Sequence, residues 1–398
     1  MKTVTININN TDYITSSPTS EEYTNRIISS FGDEIEDLLP KIRVNWNHYD
    51  GFSLSLFSEN PSEEYLMKVY DNDNVLLYET KMFNNMFCSL NRKYFNGIRY
   101  EIFKGNILLL TETVNFKDKR VFISIDSSSL GDSIAWIPYC EEFRKKHNCI
   151  LVVSTFFNYL FEDVYPDIEF IKPGEPFKNI HAIFKLGWYY DNTREPVLPN
   201  TLPLQKTPTN ILGLDFKEIK PKIKFLPSER PISEKYITIA THSTAGCKLW
   251  DYSGGWQILI NYLNDLGYKV AVIQKEPIDN LQNVLDWTGD YSLNERMNQI
   301  HHSEFFIGLS SGLSWVSWAL NKKVVMISNF THDYHEFSSD IVRITNTSVC
   351  HGCWNNPNFK FDRADWYWCP IYKNTEKHFE CHKSITPSMV IEKIKDLL

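Results

Sequence analysis

After Lys117 the chain twice repeats one alternation, a short apolar strand followed by a polar loop and a helical stretch. Strands at Val121–Ile125, Cys149–Ser154 and Ile180–Phe184 frame a helix expected over Ser133–His147, kinked at Pro138. A second series starts at Tyr236–Thr241 and continues with a helix over Trp256–Leu266 and a strand at Lys269–Ile273. It then runs through a helix at Ser292–Ile300, with Ser292 and Glu295 as a capping pair, and a strand at Phe305–Gly308. A helix to Leu320 and strands at Val324–Ile327 and Ile341–Ile344 complete it. Continuous apolar strands alternating with helices predict a parallel sheet in an α/β layer. Seven prolines between Pro196 and Pro231 separate the two series and read as a linker between lobes. The expected fold class is therefore α/β, with two Rossmann-like lobes.

Residues 1–117 have a different texture. Ile42–Trp46, Phe52–Leu56, Tyr65–Tyr70, Val75–Tyr78, Ile98–Phe103 and Ile107–Thr113 are strand-forming, and Asp50-Gly51, Asn60-Pro61 and Asp71–Asn74 supply turns. This spacing predicts a small β-sandwich or barrel. The polar stretch Thr15–Phe31 carries a helix-start signal at Thr19 with Glu22. No catalytic constellation falls in this region, so its expected role is scaffold, oligomer contact or substrate platform. No internal repeat or low-complexity tract is evident.

Half of the eight cysteines lie within 32 residues, at Cys350, Cys353, Cys369 and Cys381. The Cys350-His351-Gly352-Cys353 knuckle aims two sulfurs at one point. Four thiolates suit zinc or a single iron; a disulfide pair or four unrelated buried thiols are the rival readings. Met1–Asn7 lacks a signal-peptide core, which places the chain in the reducing cytosol and favours metal over disulfide. No apolar run approaches the ~18 residues of a membrane span. A formal net charge of −8 argues against broad nucleic-acid affinity. A nucleic-acid-binding finger built on His351, Lys360 and Arg363 with Trp354, Trp366, Tyr367 and Trp368 is disfavoured by the same acidity.

In a two-lobed parallel fold the ligand lies at the carboxyl ends of the strands. Ser310-Ser311-Gly312 joins a strand to a helix, and its N–H groups and hydroxyls suit an anion; a plain capped helix is the simpler alternative. Lys248, in the loop His242–Trp250, is placed to pair with a diphosphate, with Ser243 and Thr244 as hydrogen-bond donors; the plain alternative is a solvated lysine. Asp132, after Gly131, reads as a helix cap or as a general base. Asp126 at the strand end is a second candidate.

Together these loops resemble glycosyltransferases that use ADP-heptose. Ser129-Leu130-Gly131-Asp132 with Pro138 resembles the Ser-x-Gly-Asp loop of lipopolysaccharide heptosyltransferases. Thr244, Lys248 and Trp250 echo their Thr-rich loop with its Lys and Trp. Ser310-Ser311-Gly312-Leu313-Ser314-Trp315 stands where that family has Asp-Thr-Gly-Leu-Ser-His, so the Asp and His are replaced. With its β-rich start and four cysteines, the whole chain looks more like the bacterial autotransporter heptosyltransferases. That resemblance implies a two-lobed GT-B fold with an N-terminal β-domain (1–117) and a first lobe with linker (118–230). It further implies a donor lobe (231–349), a four-cysteine iron finger (350–382) and a closing helix (383–398). It implies inverting transfer of heptose from ADP-heptose to serines of an autotransporter passenger, with Asp132 as base. The implied donor residues are Ser129, Leu130, Gly131, Thr241, Ser243, Thr244, Lys248, Trp250, Ser310, Ser311, Gly312 and Leu313. Trp250 or another nearby ring is expected to stack on adenine or exclude water. A large ring-like homo-oligomer such as a dodecamer, with no nucleic acid and no membrane insertion, completes the expectation. A lipopolysaccharide-core-type enzyme with a sugar acceptor is the alternative.

Overall fold

The computed structural model describes residues 2–6 and 42–398. The expected cap at Thr19 lies outside the described residues. The chain opens with β1 (Lys2–Ile6), β2 (Ile42–His48), β3 (Phe52–Ser58), β4 (Tyr65–Tyr70), β5 (Leu76–Met82), β6 (Met86–Ser89), β7 (Arg99–Lys104) and β8 (Ile107–Thr113). The first α/β series holds β9 (Arg120–Ile125), α1 (Leu130–His147), β10 (Ile150–Ser154), β11 (Ile168–Ile171), β12 (Ala182–Leu186) and α2 (Lys206–Leu212). The second holds β13 (Tyr236–Ile239), α3 (Gly255–Asp265), β14 (Lys269–Val272), β15 (Leu285–Asp286) and α4 (Leu293–His302). It continues with β16 (Phe306–Gly308), α5 (Gly312–Ala319), β17 (Val324–Ile327), β18 (Ile341–Ile344), α6 (Glu380–Lys383) and α7 (Pro387–Ile394).

The second series forms a fully parallel six-stranded sheet in the order β15-β14-β13-β16-β17-β18. That is the doubly wound arrangement, with its reversal point between β13 and β16. The first series repeats half of it, β11-β10-β9-β12, all parallel, with the reversal between β9 and β12. Strand interiors such as Tyr236, Ile237, Thr238 and Ile239 are buried throughout, because helices cover both faces. The Ser292–Glu295 capping box forms as expected. Helix α1 starts at Leu130, earlier than Ser133, with Ser129 at the cap position; Pro138 lies inside the helix without ending it. The proline-rich linker is not featureless, since Lys206–Leu212 makes a short helix within it. The closing helix is short, Pro387–Ile394, and Thr386 caps it by accepting from the Met389 N–H.

The β-rich start departs from a separate unit. β4, β5, β7 and β8 form their own antiparallel sheet, but β2, β3 and β6 extend the first lobe's sheet through the parallel pairing of β2 with β12. The sheet thus runs across the boundary expected at residue 117. The two N-terminal sheets still face one another as a sandwich would. Alternate residues of β2 and β4 point inward and are buried, and the Phe52 and Tyr100 rings meet at 5.8 Å across the interface. At the junction with the first lobe, Trp46 and Phe95 pack on Phe116, and Phe143 on Phe184. His48 stacks on Phe184 at 4.6 Å.

His48 is fully buried, and that burial lowers its pKa from 6.5 to about 4. Between those values the unfolded chain binds more protons than the folded one. Stability is therefore complete above pH 6.5 and declines as the pH falls toward 4. At pH 5 the loss from His48 is about 2 kcal/mol. Urea unfolding at pH 7 and pH 5 should show this loss, and a His48→Phe variant, which retains the aromatic stack, should lose less over the same step.

Candidate active site

The two reversal points face each other, and two glycines let them touch. A methyl group on Gly131 would lie 3.2 Å from Trp315 Cδ1 and 3.6 Å from Gly312 Cα, and one on Gly312 would lie 3.4 Å from Leu130 Cβ. The Ser129–Asp132 loop of the first lobe thus rests against the start of α5 in the second. Asp132 sits in the first turn of α1 and is buried, so the cap position belongs to Ser129 rather than to it. Ser127 Oγ donates to Asp132 Oδ2 at 2.6 Å, and Trp188 Nε1 donates to the same oxygen at 2.7 Å. Among the described residues both side-chain bonds of Asp132 end on Oδ2, so Oδ1 has no side-chain partner there. Asp126 is exposed and accepts instead from Tyr189 Oη at 3.1 Å.

Around the other reversal point, Gln274 Oε1 gathers the loop after β13. It accepts from the Thr241 N–H at 2.7 Å, the Thr241 hydroxyl at 2.9 Å and the His242 N–H at 2.9 Å. Ser243 is buried and Thr244 exposed. Lys248 is half-buried, with Nζ 5.4 Å from the Phe330 ring centre and no carboxylate partner among the described residues. Trp250 departs from expectation. It is 4% exposed, donates Nε1–H to Ile385 O at 2.7 Å and packs on Trp256, so it fixes the closing helix in the core and is not a ring for adenine.

Ser310 Oγ donates to the buried carboxylate of Glu336 at 2.5 Å. Glu336 also accepts from Thr331 Oγ1 and pairs with Arg343, which holds the Thr331 carbonyl at 2.7 Å. Burial alone would raise the pKa of Glu336, but Arg343, His335 and the Ser310 bond outweigh it and hold it at about 2. A buried carboxylate from a later loop thus lies behind the Ser310–Trp315 stretch, bonded to Ser310 and Arg343. Leu313 packs against the core that the two lobes share. Sequence reasoning missed Trp188, His335 and Glu336. The signals were a Trp188-Tyr189-Tyr190 run just after a parallel strand and the dense His332–Glu336 loop after β17.

The four clustered cysteines are all free thiols. Burial pushes Cys353 up to about 12, with Cys350, Cys369 and Cys247 adding to it, and Cys381 is raised by burial and by the other three clustered cysteines. They are thus near one another, with Cys247 beside them. Among the described residues no group of three or more His, Cys, Asp or Glu side chains is placed to hold a metal ion. The backbone of the cysteine segment is specific even so. Gly352 has φ +67°, and a Cβ there would fall 2.3 Å from the His332 ring. The segment packs on the Lys248 loop so closely that a Cβ on Gly246 would meet Trp366 O at 2.5 Å. Trp366 stacks on His242 at 5.8 Å. A separate cavity of about 530 Å³ lies beside the edge strand β18, between His332, His351 and Met389 of α7. It contains neither Asp132 nor Lys248.

Two parallel α/β lobes, one bringing a carboxylate against a helix start of the other, have the architecture of a two-lobed glycosyltransferase. Residues 198–360 match the model of glycosyltransferase family 9 (heptosyltransferase). The chain is 38% identical to the autotransporter heptosyltransferase Aah of Escherichia coli, over 77% of this chain and 82% of Aah. It is 35% identical to the autotransporter heptosyltransferase TibC of E. coli O78:H11, over 79% and 83% of the two chains. At 30% identity, over 77% and 75%, it also resembles BimC of Burkholderia thailandensis, which is named inactive. The crystal structure of TibC, described as an iron-containing dodecameric glycosyltransferase, superposes with a TM-score of 0.80 at 32% identity, over 89% of this chain and 95% of that one. A second TibC structure, in complex with ADP-D-beta-D-heptose, gives 0.79. This chain belongs to the autotransporter heptosyltransferases. No helix among the described residues is long and apolar enough to cross a membrane.

Replacing Glu336 by Gln leaves the largely enclosed Arg343 charge without its counter-ion. Unfolding free energy should fall by about 3 kcal/mol, measured by urea denaturation, with a weaker hold on Ser310 appearing as a raised KM for the donor.

Proposed function

We propose that this chain transfers heptose from ADP-heptose to serine hydroxyls of an autotransporter passenger protein in the cytoplasm, by a single inverting displacement. The observation that carries the reading is the contact between the Gly131–Asp132 turn and the start of α5, which puts a base and an anion-binding helix start on either side of one space. Because the family includes a relative named inactive, the reading rests on these residues and not on membership alone.

Asp132 Oδ1 takes the serine proton as the serine oxygen attacks the anomeric carbon. The first N–H groups of α5, at Gly312 and Leu313, have no partner within the helix and face negative charge favourably, so they suit the departing diphosphate. Lys248, lacking a carboxylate partner, supplies a positive charge to the same group. Ser310 is held from behind by Glu336, while Thr241 and Ser243 shape the floor of the donor loop. Burial of the base between the lobes keeps bulk water from competing with serine.

Cys350, Cys353, Cys369 and Cys381 form a donor set of soft thiolates, suited to iron, as in TibC, or to zinc. Bound there, the metal would act as a structural tie, because four thiolates leave no open coordination position. Several copies of the chain assemble, as the dodecameric TibC does, so that one passenger meets many sites.

Two measurements test the reading. With ADP-heptose and a purified passenger fragment, intact-mass analysis should show whole heptose increments on the protein. Asp132→Asn should lower turnover ~10²–10⁴-fold while the variant remains folded. Increments only on a lipopolysaccharide core acceptor would replace the protein acceptor by a sugar. Separately, elemental analysis should find one metal ion per chain, absent from Cys353→Ser together with a loss of solubility or assembly; a folded, active, metal-free variant would remove the tie.

A further inference from the structure

A carboxylate that accepts a hydroxyl proton works best when one oxygen is pinned and the other is aimed. Asp132 is pinned through Oδ2 by Ser127 and by the Trp188 indole. The serine hydroxyl is its near neighbour on the same loop, whereas the indole comes from the loop after β12. Trp188 is in turn clamped on three sides. Trp136 lies at 5.8 Å between ring centres, His335 is stacked at 6.5 Å and 29°, and Trp354 meets it edge-on at 5.1 Å and 87°. Each clamp is itself fixed. Trp136 Nε1 donates to Leu204 O at 2.9 Å, the His335 ring nitrogen Nδ1 bonds Leu202 O at 2.9 Å, and the Trp354 carbonyl accepts from Asn200 Nδ2 at 2.9 Å.

Trp354 directly follows Cys353. Its indole Nε1 is buried without a hydrogen-bond partner among the described residues. A phenylalanine would fill space there without orphaning a donor, so the larger ring carries a cost that packing alone does not require.

We propose that Trp188 is a positioning residue for the Asp132 carboxylate, and that Trp354 holds Trp188, so that the cysteine segment sets the angle of the general base. The inference rests on the reading of Asp132 as that base. In the step it serves, the acceptor O–H bond breaks and its proton passes to Oδ1. The oxygen bonds to the anomeric carbon, and the bond from that carbon to the diphosphate breaks, with the electron pair leaving on ADP. The indole neither gains nor loses a proton.

Steady-state kinetics on the full-length protein test it. Trp188→Phe, which preserves the ring and removes the N–H, should lower kcat ~10–100-fold and leave the KM for ADP-heptose within about twofold. In an Asp132→Asn background the same change should cost nothing further. Trp188→His, which retains a ring N–H, should recover part of the rate and carries the test if the Phe variant folds poorly. Trp354→Ala, with metal content equal to that of the unaltered protein, should lower kcat in the parent and not in the Trp188→Phe background. Equal losses from Trp188→Phe with and without Asp132, or a raised donor KM at unchanged kcat, would overturn the proposal. Full transfer by Asp132→Asn alone would instead remove the base assignment, so the two failures are read from different variants.

Discussion

The site depends on the close approach of two helix starts. Gly131 and Gly312 lie at the starts of helices in different lobes; a Cβ on Gly131 would fall 3.2 Å from the Trp315 ring, tighter than ordinary packing, and one on Gly312 would meet Leu130 at contact distance, 3.4 Å. Larger residues there would hold the two loops apart by the thickness of a side chain, and a misplacement of that size removes most of the advantage of orientation. Everything chemical in the cleft is set relative to this contact. Asp132 follows one glycine directly, and α5 begins at the other.

Around that contact the cysteine segment acts as a wedge with three faces. Trp366 lies on Gly246 and His242 of the donor loop, and Trp354 on Trp188 of the first lobe. Asn355 joins the linker by donating to Asn200 O at 2.6 Å and receives the His332 N–H at 2.7 Å. Few of these bonds are strong singly. Because they tie the linker to both lobes, they act together against relative rotation of the lobes, where each alone would yield. The segment therefore has a structural purpose that its thiols alone do not reveal.

Much of this was legible from residue patterns and much was not. Val324–Ile327 was readable to the residue because a buried parallel strand is an uninterrupted apolar run, and Ile341–Ile344 was readable from its β-branched residues, although Arg343 interrupts it. The Ser292–Glu295 box was readable because both partners lie within one turn. β11 and β15 were missed. Trp250 was misjudged because a tryptophan near a donor loop reads the same whether it faces ligand or core; only the Ile385 carbonyl, far along the chain, decides between them. Glu336 was invisible for the same reason, since its partners Ser310 and Arg343 meet it only in the fold. What local pattern cannot carry is pairing at long range.

The parallel junction of β2 with β12 has a consequence for how the chain is made. His48 pairs with Ala182, so the first lobe's sheet cannot close until a strand made on the order of a hundred residues later has left the ribosome; contacts of such separation form slowly. A β2–β3 hairpin waiting that long would offer an open edge to other chains. β1 lies antiparallel along Ile42–Trp46 on that edge and leaves the His48 end to β12. β1, which precedes β2 in the chain, thus covers that edge as far as Trp46.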